Sequence, residues 1–86
     1  IIPKKDYPMK SVFTKEYAVF LEVLVAARLS QGLTQAAVAE RLKKPQSFVS
    51  KCESGERRVD IVEFFAICTA LDKDPAALLK EMGFLK

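Results

Sequence analysis

The 86-residue chain has no histidine and no tryptophan, two cysteines and only three glycines. The missing histidine removes the side chain most used as general acid or base near neutral pH, and the commonest metal ligand with it. Cys52 and Cys68 cannot complete a zinc site in one chain, and neither has a visible base partner to make it a nucleophile. They read as small core residues on separate helices of a cytosolic protein. No glycine-rich phosphate loop is present, and no carboxylates cluster with metal-ligand spacing. No enzyme, no cofactor and no metal are therefore expected. Without an attached sensor domain, no small-molecule ligand or substrate is expected either. Long apolar runs are also missing. The longest, Tyr17 to Ala27, is interrupted by Glu22 and falls short of the roughly 20 residues that span a bilayer, so no membrane contact is expected. No signal-peptide pattern is visible. The chain opens on Ile1 and not on methionine, so either a trimmed or processed polypeptide or one whose first residues are not included is expected.

Half of the residues are hydrophobic, enough for one small globular domain of a few helices. Residues 1–13 contain Pro3 and Pro8 and no sustained periodicity. They read as an N-terminal arm in which Val12 and Phe13 cover an edge of the core and Lys4, Lys5 and Lys10 reach phosphate. A disordered leader over residues 1–8 is the other reading. Residues 14–86 read as the domain proper, all-α with five helices and no strand signal.

The first helix is expected from Thr14, an N-cap candidate with Glu16 in the first turn, to Gly32. Tyr17, Phe20, Leu21, Leu24 and Ala27 or Arg28 mark its inner face. Thr34 caps a second helix, Gln35 to Leu42, with Val38, Ala39 and Leu42 inward. Lys43 and Lys44 interrupt the pattern and Pro45 restarts it. The third helix, Gln46 to Glu53, keeps Phe48, Val49 and Cys52 on one side and ends at Gly55. Asp60 and Glu63 form an acidic capping box for a fourth helix carrying Phe64, Ile67, Cys68 and Leu71. Asp74 and Pro75 open a fifth, with Leu78 and Leu79 inward, and Gly83 closes it. Phe65, Met82, Phe84 and Leu85 are left over from these stripes and suggest a self-contact near the C-terminus.

Charge is unevenly spread. The net charge is +3, yet the stretch from Arg41 to Arg58 holds six basic residues against Glu53 and Glu56, a local +4, and the rest of the chain is at −1. The outer side of the third helix carries Gln46, Ser47, Ser50 and Lys51, groups that can meet base edges and phosphates.

At GLTQ (Gly32 to Gln35), AERL (Ala39 to Leu42), PQSFVSK (Pro45 to Lys51) and ESGER (Glu53 to Arg57) the chain resembles the lambda-repressor-like helix-turn-helix family, the Cro/repressor or XRE type. With FFAICTALDKDPAALL downstream, the resemblance runs from about Leu24 to Met82, with several separate pieces in order. It implies a compact five-helix domain whose second and third helices form the DNA-reading unit. It implies base contacts from Gln46, Ser47, Ser50 and Lys51, and a phosphate contact from Gln35. Lys44, Ser54, Arg57 and Arg58 are expected on the backbone beside the third helix. It also implies a structural salt bridge between Arg28 and Glu53. Three departures stand out, and one is Pro45, which stands where many members have a serine or threonine cap. Lys43 occupies a position where many members have glycine, so a left-handed, strained residue is expected there. Cys52 replaces a residue that is usually larger, so looser packing behind the third helix is expected.

The function so implied is sequence-specific binding of double-stranded DNA as a transcriptional regulator. The simplest form is a cytoplasmic, nucleoid-associated repressor that occupies a pseudo-palindromic operator as a homodimer. A protein-interaction module, antitoxin-type or adaptor, is the alternative, with a partner protein in place of DNA or alongside it.

Overall fold

The computed structural model describes residues 14–86, and the expectations for the arm, including those on Val12, Phe13, Lys4, Lys5 and Lys10, lie outside them. The described residues form five helices: α1 (Lys15–Ser30), α2 (Gln35–Leu42), α3 (Gln46–Ser54), α4 (Ile61–Ala70) and α5 (Pro75–Glu81). There is no strand among them, and no helix is long and apolar enough to cross a membrane.

Local side chains set where these helices start. Thr14 and Thr34 accept the N–H groups of Tyr17 and Ala37 at 3.0 Å each, which satisfies one orphan donor at the start of α1 and of α2. At α4 the capping box is complete: Glu63 N–H donates to Asp60, and Asp60 N–H donates to Glu63. Two starts differ from the sequence reading. Pro45 is the N-cap of α3 and lies outside the helix, with φ −67° and ψ 155°. Asp74 stands at the N-cap of α5, but its side chain makes no capping bond.

Four of the five helices end by one device. Gly32, Lys43, Asp72 and Gly83 adopt left-handed conformations, at φ +70°, +59°, +59° and +87°. The following N–H in each case reaches back to the helix: Leu33 to Arg28 O at 3.2 Å, Lys44 to Ala39 O at 3.0 Å, Lys73 to Cys68 O at 2.9 Å and Phe84 to Leu79 O at 2.9 Å. These are Schellman closures, which satisfy the last carbonyls by forcing one residue into the left-handed region. Aspartate tolerates that region. Lysine does so only at a cost, because its Cβ crowds the following carbonyl. The strain expected at Lys43 is therefore present, and its cause is the need to turn the chain sharply between α2 and α3.

The core lies between α1, α2, α3 and α4, closed by α5. Leu24, Val38, Val49, Phe64, Cys68, Leu71 and Leu78 are all buried. Met82 is buried as well, at 6% exposure, and so belongs to the core and not to a surface cluster. The helix stripe missed it because it sits one residue beyond α5, where the closing turn folds it back inward. A void of about 20 Å³ remains behind α3, lined by Leu24, Val38, Val49, Cys52 and Ile67 among others. A larger side chain than Cys52 would have filled part of it. Both cysteines are free and buried. Burial raises the Cys52 thiol above its ordinary value and pushes Cys68 up to about 11, so neither is a thiolate at neutral pH.

Replacing Lys43 with glycine relieves the left-handed strain and is expected to stabilise the domain by about 1 kcal/mol, raising the melting temperature by roughly 5 °C. Thermal unfolding followed by circular dichroism measures this.

Candidate nucleic-acid interface

Helix α3 divides cleanly by face. Val49 and Cys52 are buried and Phe48 is half-buried, whereas Gln46, Ser47, Ser50, Lys51 and Ser54 are all exposed and fall on the opposite side. The division follows from the 3.6-residue period, since the apolar side chains recur at i, i+1 and i+4. What remains outside is a strip of amide, hydroxyl and ammonium groups on a helix narrow enough to enter a major groove.

One charged network holds this helix in place. Arg28, in the last turn of α1, makes a bidentate pair with Glu53, Nε to Oε2 at 2.7 Å and Nη2 to Oε1 at 3.0 Å. The third contact of the same guanidinium is the Leu33 carbonyl, at 2.9 Å, in the loop before α2. Gln35 Nε2 donates to Glu53 Oε1 at 2.9 Å, and Gln46 Nε2 donates to Gln35 Oε1 at 3.4 Å. The side chains of the ion pair are only 12% and 14% exposed, and every partner is hydrogen-bonded. A bidentate guanidinium–carboxylate pair fixes orientation as well as distance. The chain of contacts therefore sets the angle of α3 against α1 and α2, and orders Gln46, the first side chain of its outer face.

Gln35 was expected at a phosphate. Here its side chain links Glu53 to Gln46, and each amide has two donors, so one N–H of Gln35 is not engaged in these bonds. The position at the first turn of α2 leaves that donor at the positive end of the helix.

The basic residues around α3 rest on aromatic rings. Lys44 Nζ lies 5.2 Å from the centre of the Phe48 ring, and the Arg57 guanidinium lies 4.8 Å from it. Arg58 stacks over Tyr17 at 4.5 Å, and the Tyr17 hydroxyl accepts the Val59 N–H at 3.0 Å. Cation–π contacts of this sort hold a charged head in position while leaving it at the surface. Arg57 also donates to Glu63 at 2.9 Å, joining the α3–α4 loop to the α4 capping box. Lys43 is exposed. Ser54 turns inward on its own helix end, donating to Lys51 O at 3.2 Å and accepting Glu56 N–H at 3.3 Å.

Two polar residues serve a purpose that the sequence did not disclose. Arg41 donates to Ala70 O at 2.7 Å, and Gln31 donates to Leu71 O at 2.9 Å. Both satisfy carbonyls at the C-terminal end of α4, where a cation also meets the negative end of the helix dipole. Arg41 thus leaves the basic cluster in which linear sequence had placed it. Its partner is 29 residues away, and no local signal points to it.

Removal of one member of the Arg28–Glu53 pair leaves the other part-buried and under-satisfied. Arg28→Met is expected to cost about 3 kcal/mol in urea unfolding, and Arg28→Met/Glu53→Met to cost less than that single change. The Arg57 guanidinium and the Asp60 N–H hold the Glu63 carboxyl below the ordinary glutamate value near 4.5. A lowered carboxylate contributes stability fully above its ordinary value and loses it as pH falls through the lowered one. Glu63→Gln is therefore expected to lose less stability than the natural chain as pH falls below the ordinary glutamate value, by urea unfolding at each pH.

Comparison with known proteins agrees with this geometry. A family model described as helix-turn-helix matches residues 24–78. An XRE-family like protein from Pseudomonas syringae pv. tomato str. DC3000 is 43% identical. It aligns over 87% of this chain and 92% of its own, with a TM-score of 0.79. The clp gene regulator ClgR from C. glutamicum shares the fold, with a TM-score of 0.73 at 22% identity, over 83% of this chain and 92% of its own. No curated protein matches the chain.

Proposed function

The chain belongs to the XRE-type helix-turn-helix family and is a DNA-binding transcription regulator; from that premise we propose that it is a repressor that occupies a pseudo-palindromic operator as a homodimer. The observation that carries this reading is the outer face of α3, four exposed hydrogen-bonding side chains on a helix clamped by the Arg28–Glu53 pair.

In the proposed complex α3 lies in the major groove with Gln46 leading. The Gln46 amide donates and accepts at once, which suits adenine N6 and N7, and its bond to Gln35 pre-orders it. Ser47 and Ser50 are short and read less strictly. Lys51 reaches guanine O6 and N7 or a phosphate. The free N–H of Gln35 takes a phosphate oxygen at the α2 N-terminus. Lys44, Arg57 and Arg58, held on Phe48 and Tyr17, grip the backbone beside α3 together with Ser54. Backbone contacts fix register and base contacts select sequence. Bound over a promoter, such a dimer represses by excluding polymerase, from the cytoplasm and the nucleoid.

A protein partner is the second reading, and one feature favours it. Between α1 and the end of α3 lies a shallow, largely apolar groove of about 470 Å³, lined by Ala18, Val25 and Leu29 with Glu22, Glu53 and Ser54 among them. That groove suits an apolar helix with a basic residue, as an antitoxin-type or adaptor partner would offer.

Selection from a randomised duplex pool at two salt concentrations tests the operator reading. A two-fold site with half-sites about 10 bp apart, or a multiple, is expected. Weak binding that vanishes with salt and enriches no sequence leaves only the electrostatic attraction and refutes it. On the selected site, Gln46→Ala is expected to cost roughly 1–3 kcal/mol at one base position. Arg58→Ala should weaken all sequences alike and reduce the salt slope by about one.

A further inference from the structure

Arg57 is tied down at its root and at its tip. Its backbone N–H donates to Lys51 O at 3.0 Å, which fastens it to the last turn of α3. Its guanidinium lies over the Phe48 ring at 4.8 Å, and Nη1 donates to Arg58 O at 3.2 Å and to Glu63 Oε1 at 2.9 Å. Both of these bonds use Nη1, so Nη2 and Nε are left to other acceptors. Glu63 is itself fixed. The same Oε1 accepts the Asp60 N–H at 3.1 Å, and the Glu63 N–H donates to Asp60 at 2.7 Å. The carboxylate that meets Arg57 is therefore held by the start of α4, and does not move with the arginine.

An acid is out of character in this place. Glu63 lines one small pocket with Lys44 and Phe48, among the cations that grip DNA in the reading above. Its charge opposes a phosphate, whereas its hydrogen bond orders the group that binds one. Magnitude decides between the two. A phosphate on the far side of the guanidinium would sit about 6–7 Å from the carboxylate, where repulsion in salt water is worth a factor of about two in affinity. Arg57 is 43% exposed, so without a tether its long side chain would have many rotamers to lose on binding. Ordering such a side chain beforehand is worth a factor of roughly three to ten. Position outweighs repulsion.

Resting on the reading of Arg57 as a phosphate contact, we propose that Glu63 is a positioning residue for DNA binding, which holds the Arg57 guanidinium in place to receive a backbone phosphate. Because Arg57 is fastened to α3 at its root and to α4 at its tip, the phosphate it holds stands at a fixed offset from Lys51 and the other exposed residues of α3. Backbone contacts of this kind set the register in which bases are read.

Two substitutions that remove the same charge isolate the hydrogen bond. Glu63→Gln keeps an oxygen able to accept from both Arg57 and Asp60. Glu63→Met keeps the length and the helix propensity but has no oxygen acceptor. Titration of a labelled random-sequence duplex at about 50 mM and 200 mM salt measures affinity and salt slope, and circular dichroism checks that each variant is folded. Glu63→Gln is expected to bind about twofold more tightly than the natural chain. Glu63→Met should bind about three- to tenfold more weakly than Glu63→Gln, at the same salt slope. In an Arg57→Ala background the two substitutions should bind alike. Glu63→Met binding as tightly as Glu63→Gln overturns the proposal. So does a gap between them that persists without Arg57, which assigns the loss to the α4 cap. If Glu63→Met does not fold, Glu63→Ala replaces it under the same criteria. Arg57→Ala alone tests the underlying reading. Weaker binding with a salt slope smaller by about one supports the phosphate contact, and unchanged binding and slope refute that contact and the proposal with it.

Discussion

The bidentate pair between Arg28 and Glu53 is the constraint on which the rest of the domain's use depends. Short helices of eight and nine residues have little stability of their own and no long packed face to set their angle. A small swing of α3 would re-aim all of its outer side chains together. Hydrophobic contact does not resist such a swing strongly, because it has no preferred direction. A guanidinium fork does resist it. By tying the end of α1 to the end of α3, and through Leu33 O and Gln35 to the start of α2, it gives the three helices one fixed relative orientation.

The same logic extends to the loop that follows. Between α3 and α4 the backbone has no regular structure, yet its two arginines are placed. Arg57 lies between the Phe48 ring and Glu63, and Arg58 lies over Tyr17. Phe48 and Tyr17 are half-buried, Phe48 against the core and Tyr17 against Phe20, while both rings support cations. One ring thus serves packing and charge placement together, an economy suited to so small a domain. Glu63 is shared in the same manner, capping α4 and holding Arg57 at once. Positions with two duties of this kind couple the stability of the fold to the geometry of the surface.

Small size also explains the apolar exteriors of α1 and α4. A domain of this length has more helix surface than core to cover it. Both helices accordingly expose apolar side chains, Val19 and Leu29 on α1 and Ile61, Val62 and Phe65 on α4, beside polar ones such as Glu22 and Thr69.

Much of this was legible in the linear chain, for reasons that are local. Caps at Thr14, Thr34 and Asp60 act on backbone within three residues, and the inward faces of α1 to α4 follow from helical periodicity. The exposed set Gln46, Ser47, Ser50 and Lys51 is the complement of Phe48, Val49 and Cys52 on one helix, so it too can be read from spacing. The Arg28–Glu53 pair was accessible only through family resemblance, since 25 residues separate its members. Tertiary structure alone decided the rest. It took Arg41 out of the basic cluster to cap α4, turned Gln35 toward Glu53 and Gln46, folded Met82 into the core, and stacked Lys44, Arg57 and Arg58 on rings. Each of these depends on which distant carbonyl, carboxylate or ring lies within reach after the helices pack, and short-range periodicity carries no record of that.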